Sequence, residues 1–183
     1  MVFIFQHLLI FFQISLACLV LSISGFLLKK LFLDKVDLIN FEENALFGFV
    51  LIGFLSLFIN FFSPLNIFVN NICFVTIIFL GLKFNFFYQE KLKLIKKIFI
   101  TSLISFIFLI YSNVNTPDAL LYHLPYSKII NEDKIIIGLT NLDSRFGHIS
   151  IFQYISSFFV NSFFSTNGLL IPISLVPSLF FLN

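Results

Sequence analysis

Charge is scarce in this chain. Charged residues make up 11% of its 183 positions, against about 25% in an ordinary soluble domain, and this shortfall excludes a water-facing surface over the whole molecule. The net charge of +2 is too small to call for a nucleic-acid partner, and the lysines are confined to particular loops. Only Cys18 and Cys73 are present, both within apolar runs and without a Cys-x-x-Cys spacing. They read as buried apolar thiols, and neither a disulfide framework nor a thiolate metal site follows. Tryptophan is absent beside 30 phenylalanines, a pattern that a codon bias towards A and T accounts for. Such a bias chooses Phe over Leu within a run, but it does not decide where the charges fall. No basic segment precedes the first apolar stretch, which is too long for the core of a cleaved signal, so it reads as a retained span.

Long uncharged runs are plentiful. The chain is 59% hydrophobic, with a mean hydropathy of +1.05. The runs cover residues 8–28, 45–63, 67–82, 98–112, 149–164 and 169–182. About 20 residues of helix cross a hydrocarbon core of roughly 30 Å, and in that medium each backbone group must find its partner within the segment. A β-barrel needs alternating strands, and the run around Phe47 to Ile59 does not alternate. The expectation is an all-α fold: one polytopic transmembrane bundle over residues 1–183, with five to six spans.

The lysines orient it. Lys29, Lys30 and Lys35 lie in the loop 29–44, and Lys83, Lys91, Lys93, Lys96 and Lys97 in the loop 83–97. Loop 64–66 has none, and the long loop 113–148 has only Lys128, Lys134 and Arg145. Positive loops stay inside. The N-terminus and loop 113–148 are therefore expected outside a plasma (inner) membrane, with loops 29–44 and 83–97 in the cytoplasm. The last run contains Pro172 and Pro177 and has no charged residue after it, so the chain is expected to be the N-terminal part of a longer protein.

Loop 113–148 gathers Asp118, Tyr122, His123, Asp143, Arg145 and His148. Thr116-Pro117-Asp118 has the form of a helix start, with a hydroxyl cap, proline in the first turn and an acid near the positive helix end. The apolar residues that follow, from Leu120 to Ile130, suit an amphipathic helix in the membrane interface, bent by Pro125. Asp118 and Tyr122 are four apart and share a face, whereas His123 points away unless Pro125 distorts the turn. Plainer roles stand beside these. Asp118 suffices as a capping acid, Tyr122 and Tyr126 as interfacial aromatics, His123 as an interfacial polar group, Glu132-Asp133-Lys134 as a solvated turn, and Asp143 with Arg145 as a surface ion pair.

The string Asp118-Ala119-Leu120-Leu121-Tyr122-His123-Leu124-Pro125 resembles the first external loop motif of bacterial GT-C glycosyltransferase-like membrane proteins, a group that includes mannosyltransferases and lipid A aminoarabinose transferases. The likeness covers residues 113–154. It implies an inverting enzyme of the cell envelope that transfers a sugar from a polyprenyl-phosphate donor to an acceptor outside the membrane. Asp118 is then the catalytic residue, as base or as an acceptor or divalent-metal contact. Arg145 meets the departing phosphate, and Tyr122 and His123 contact substrate. The pattern departs from the family in having Ala119 where many relatives have a second acid, in the three spans before the helix that precedes the motif, and in carrying too few spans for a whole enzyme. As given, the chain is therefore expected to be inactive alone. Two other readings remain, a transporter or flippase component and a membrane assembly protein. The spans hold Gln13, Asn60, Gln153 and Asn161 but no acid or base, which counts against ion-coupled transport.

Overall fold

A computed structural model describes residues 2–32, 41–84, 86, 91–111, 123–141, 144–147 and 150–182. Among them the fold is all-α, with seven helices and no strand. The helices are α1 (Val2–Phe32), α2 (Phe41–Phe62), α3 (Ile67–Lys83), α4 (Lys91–Tyr111), α5 (Leu124–Glu132), α6 (Ile151–Phe158) and α7 (Ile171–Leu182). Within the described residues, α1 and α2 are long and apolar enough to cross a membrane.

The pairing of α1 with α2 is the centre of the fold. Gly25 of α1 sits on the carbonyl of Asn44, and Gly48 of α2 sits on the carbonyl of Leu21, so close that a methyl group on either glycine would overlap the backbone of the other helix. Ala17, Ser22, Ser24 and Ala45, all fully buried, flank this contact. Small side chains let two helix backbones approach and make dispersion contacts along their length. The Ser105 and Ser174 hydroxyls meet at 2.6 Å, between α4 and α7.

Pro64, which cannot continue the hydrogen-bond ladder, follows the end of α2, and the Asn66 side chain caps α3 by accepting from the Val69 N–H at 2.9 Å. At the other end of α2, Glu43 pairs with Lys29 at 3.0 Å and the buried Glu42 with Lys97 at 2.7 Å. Lys30 lies 4.3 Å from the Phe84 ring centroid. The lysines of the two basic loops thus meet at one end of the bundle. Asn60, about 27 Å further along α2, marks the opposite end.

The last two expected spans take another form. The runs 149–164 and 169–182 appear as α6 and α7, which are 8 and 12 residues long, or about 12 and 18 Å, with turns and 3-10 geometry between them. Asn161, Ser162, Ser165, Asn167 and Gly168 interrupt the apolar pattern, and such side chains compete with helix for backbone partners. Ser165 has φ of 52°, and Gly168 packs on the Phe159 carbonyl. Other helices satisfy the freed groups: Gln13 Nε2 donates to Phe163 O at 2.9 Å, Asn70 Nδ2 to Val160 O at 2.9 Å, and the Ser162 N–H to Asn71 Oδ1 at 3.1 Å.

Among the described residues many large apolar side chains are exposed, and several polar ones are buried within a mainly apolar core. Phe54, Phe58, Phe62, Phe68, Phe79 and Phe181 are exposed, whereas Asn44, Ser56, Asn70, Thr101, Ser102 and Ser105 are fully buried.

Candidate functional site

His123 begins the site. It stands at the N-terminal end of α5 with helical φ and ψ, and Pro125 occupies the first turn, where its missing N–H costs nothing. Tyr126, Ser127 and Ile130 form the buried face of α5, while Glu132, Asp133 and Lys134 are exposed. Instead of lying by itself at the surface, α5 runs parallel to α6 with residues thirty apart in register. His123 meets Gln153 at 3.2 Å, and the Ser157 hydroxyl donates to Ser127 O at 3.4 Å.

Three asparagines anchor this pair to the end of α2 away from the lysines. Asn60 Nδ2 donates to Ile130 O at 3.2 Å and to Asp133 O at 2.9 Å. Asn70 Nδ2 reaches Leu65 O and Ser157 O, both at 2.8 Å. Asn131 Nδ2 reaches the same two oxygens at 2.6 and 3.0 Å. Tyr126 is buried here too, with Phe146 at 5.9 Å between ring centroids. Burial, and after it the hydrogen bond to Tyr154, holds the Tyr126 phenol well above its ordinary pKa.

A cavity of about 180 Å³ lies between the start of α5, α6 and the start of α7. One wall is His123, Leu124 and Ser127, the second Ser150, Phe152, Gln153 and Ser156, and the third Leu169, Leu170 and Ile173. Phe152 stacks obliquely on Phe49 at 6.3 Å, and Ile151 packs on Gly53. This places the cavity beside the middle of α2.

Gln153 is oriented by local geometry. Ser150 and Gln153 form a capping box, in which the Ser150 N–H donates to Gln153 Oε1 at 3.0 Å and the Phe152 N–H to Ser150 Oγ at 3.2 Å. With its oxygen so held, Gln153 turns its amide nitrogen to His123 Nδ1. An amide N–H can only donate, so in the neutral ring Nδ1 accepts and the proton is on Nε2. Among the described residues, the hydroxyl of Ser156, 4% exposed, has no hydrogen-bond partner.

Of the residues singled out in the sequence, His123 is on the cavity wall. Asp118 and Tyr122 lie outside the described residues. The Arg145 backbone belongs to a 3-10 turn, Ser144–Gly147, and its side chain is also outside them. Among the described residues no three His, Cys, Asp or Glu side chains gather as a metal site would require. Gln153 and Ser156 were not singled out as site residues. The pattern Ser150-x-x-Gln153 ahead of an apolar stretch was a legible capping signal, whereas nothing in the sequence marks Ser156.

No curated protein and no solved structure matches the chain. A family model described as a domain of unknown function, DUF8201, matches residues 7–182. The chain belongs to the DUF8201 family.

Proposed function

We propose that this chain forms part of a membrane glycosyltransferase of the GT-C type, which moves a sugar from a polyprenyl-phosphate donor to an acceptor hydroxyl on the external side of a bilayer. The observation that carries this reading is the position of His123. The last part of the motif, His123-Leu124-Pro125, ends at an apolar-walled cavity beside a helix long enough to span, where a lipid-linked substrate has access from the hydrocarbon.

The bilayer assignment is supported by the phenylalanine-rich exterior and hydroxyl-rich interior. Its polarity is supported by the clustering of the lysines at one end of α2. In this reading that end is cytoplasmic, α1 to α4 cross the bilayer, and α5 to α7 line the opposite half. The lysines at the start of α4 extend their ammonium groups to the interface.

The chemistry is an inverting displacement. The acceptor oxygen bonds to the anomeric carbon as the bond from that carbon to the lipid phosphate breaks. Asp118 takes the acceptor proton, and Arg145, Tyr122 and His123 bind the substrates' polar groups. In the full-length protein, Asp118→Asn is expected to lower transfer from a polyprenyl-phosphate sugar by about a hundredfold or more. Unchanged transfer removes Asp118 from the mechanism.

A further inference from the structure

Exposed apolar side chains follow one stripe of α3 and end at a pair of lysines. Phe68, Ile72, Val75, Phe79 and Leu82 are all exposed, and their spacing of three and four places them on one face. The opposite face, with Asn70, Phe74, Ile77 and Gly81, is buried. The Thr76 hydroxyl, beside the stripe, is spent on Ile72 O at 2.8 Å. From Phe68 to Leu82 the stripe runs about 21 Å, more than the roughly 15 Å that is half of a hydrocarbon core. An acyl chain laid along it therefore meets carbon over its whole length.

Lys83 closes the stripe in the last turn of α3, and Lys30 arrives from the last turn of α1. Their ammonium groups lie 5.9 and 4.3 Å from the centroid of the same ring, that of Phe84. Two nearby lysines are neutralised, Lys29 by Glu43 and Lys97 by Glu42. Among the described residues no carboxylate pairs with Lys30 or Lys83. The carbonyl ends of α1 and α3 return roughly half a negative charge each, which leaves a positive excess. Two like charges gathered round one ring repel each other, and an anion between them relieves that repulsion. We propose that Lys30 and Lys83 bind the phosphate of an anionic phospholipid whose acyl chain covers the α3 stripe. The charge selects the headgroup, and the stripe selects a lipid over a soluble anion. This site rests on the bilayer assignment of α1 to α4 and is independent of sugar transfer.

The chain has no tryptophan, so a single introduced indole reports its own surroundings. The test places the full chain carrying Phe79→Trp in vesicles of phosphatidylglycerol and phosphatidylcholine. One lipid or the other carries brominated acyl chains, which quench the indole. Phe54→Trp, at an exposed position in the middle of α2, is the reference. At position 79 phosphatidylglycerol is expected to bind about fivefold or more tightly than phosphatidylcholine, the factor that one lysine near anionic headgroups supplies. At position 54 no preference is expected. Lys30→Gln with Lys83→Gln is expected to make the two lipids equal at position 79, whereas Lys30→Arg with Lys83→Arg keeps the preference.

The inference is overturned if both lipids quench position 79 equally, or if the double glutamine variant keeps the preference. It is also overturned if neither lipid quenches position 79 while both quench position 54, since protein then covers the stripe. Absence of quenching at both positions removes the bilayer assignment as well. The two proposals fail separately. Equal quenching with intact, Asp118-dependent sugar transfer removes the lipid site alone. A lysine-dependent preference with no sugar transfer by the full-length protein removes the transferase reading alone.

Discussion

Asn70 and Asn131 donate to the same two carbonyls. Each Nδ2 lies within 3.0 Å of both Leu65 O and Ser157 O, so the α2–α3 turn and the end of α6 are clamped between side chains of α3 and α5. The Leu65 N–H closes the ring by donating to Ile130 O at 3.0 Å. Buried carbonyls at the ragged ends of short helices would otherwise lack donors, and this arrangement lets an eight-residue helix persist.

The shared acceptors make the two asparagines energetically coupled. Asn70→Ala and Asn131→Ala are each expected to cost about 1–3 kcal/mol, since Leu65 O and Ser157 O each keep at least one donor. The double substitution strips Leu65 O of both asparagine donors and leaves Ser157 O with the Val160 N–H at 3.1 Å, and it is expected to cost about 1 kcal/mol more than the sum. Thermal unfolding of the four proteins measures the coupling, and simple additivity would show that the two amides act independently.

Backbone contact between α1 and α2 leaves no room for a methyl group. Gly25→Ala and Gly48→Ala push against a carbonyl of a helix, which cannot rotate aside. Each is expected to cost about 3 kcal/mol or more, seen as loss of the monodisperse peak in size-exclusion chromatography. Gly138→Ala is the control. Its φ of 90° strains the backbone by about 1–2 kcal/mol without separating any helices. Equal behaviour of all three variants would contradict the close crossing.

The capping box dictates a histidine tautomer. In protein labelled with ¹⁵N at histidine, the neutral form of His123 is expected to carry its proton on Nε2, with Nδ1 unprotonated. Gln153→Leu is expected to release this preference while leaving α6 helical. A protonated Nδ1 in the parent protein would mean that the Gln153 amide faces the other way.

Alkaline pH is expected to destabilise the α5–α6 pair. Burial and the Tyr154 hydrogen bond raise the Tyr126 pKa in the folded state above an unfolded value of about 10. The folded state therefore holds the phenolic proton more tightly. The associated stability is complete below about pH 10 and is lost as pH rises from there through the higher folded value. Tyr126→Phe is expected to flatten the pH dependence of the melting temperature above pH 10, at a cost of about 1 kcal/mol at neutral pH. An unchanged alkaline limb would show that another group governs it.

Hydropathy located the helices better than it bounded them. The run 67–82 lies in α3 and the run 45–63 largely in α2, but α1 and α4 begin well before their apolar runs, at Val2 and Lys91. Lysine is a good helix former, so the α4 helix continues through residues that a hydropathy scan assigns to a loop. The same scan joined Ile149 to Phe164 and passed over Asn161 and Ser162, because a few polar residues barely lower an apolar average. In the site, His123 and the capping pair were legible because they belong to local patterns. The Ser156 hydroxyl and the asparagine clamp were not, because their partners or missing partners lie on other elements.

The amino-acid sequence by itself determined the helical class and which end of α2 carries the lysines, since both follow from local composition and from the repulsion between charge and hydrocarbon. Only the tertiary structure decided that α6 and α7 are short, that α5 pairs in parallel with α6, and that a cavity opens between them. Those features depend on hydrogen bonds from Gln13, Asn60 and Asn70 to backbone groups far away in the chain. A side chain can end a helix anywhere, but the ending is stable only where distant residues arrive to satisfy the groups it exposes.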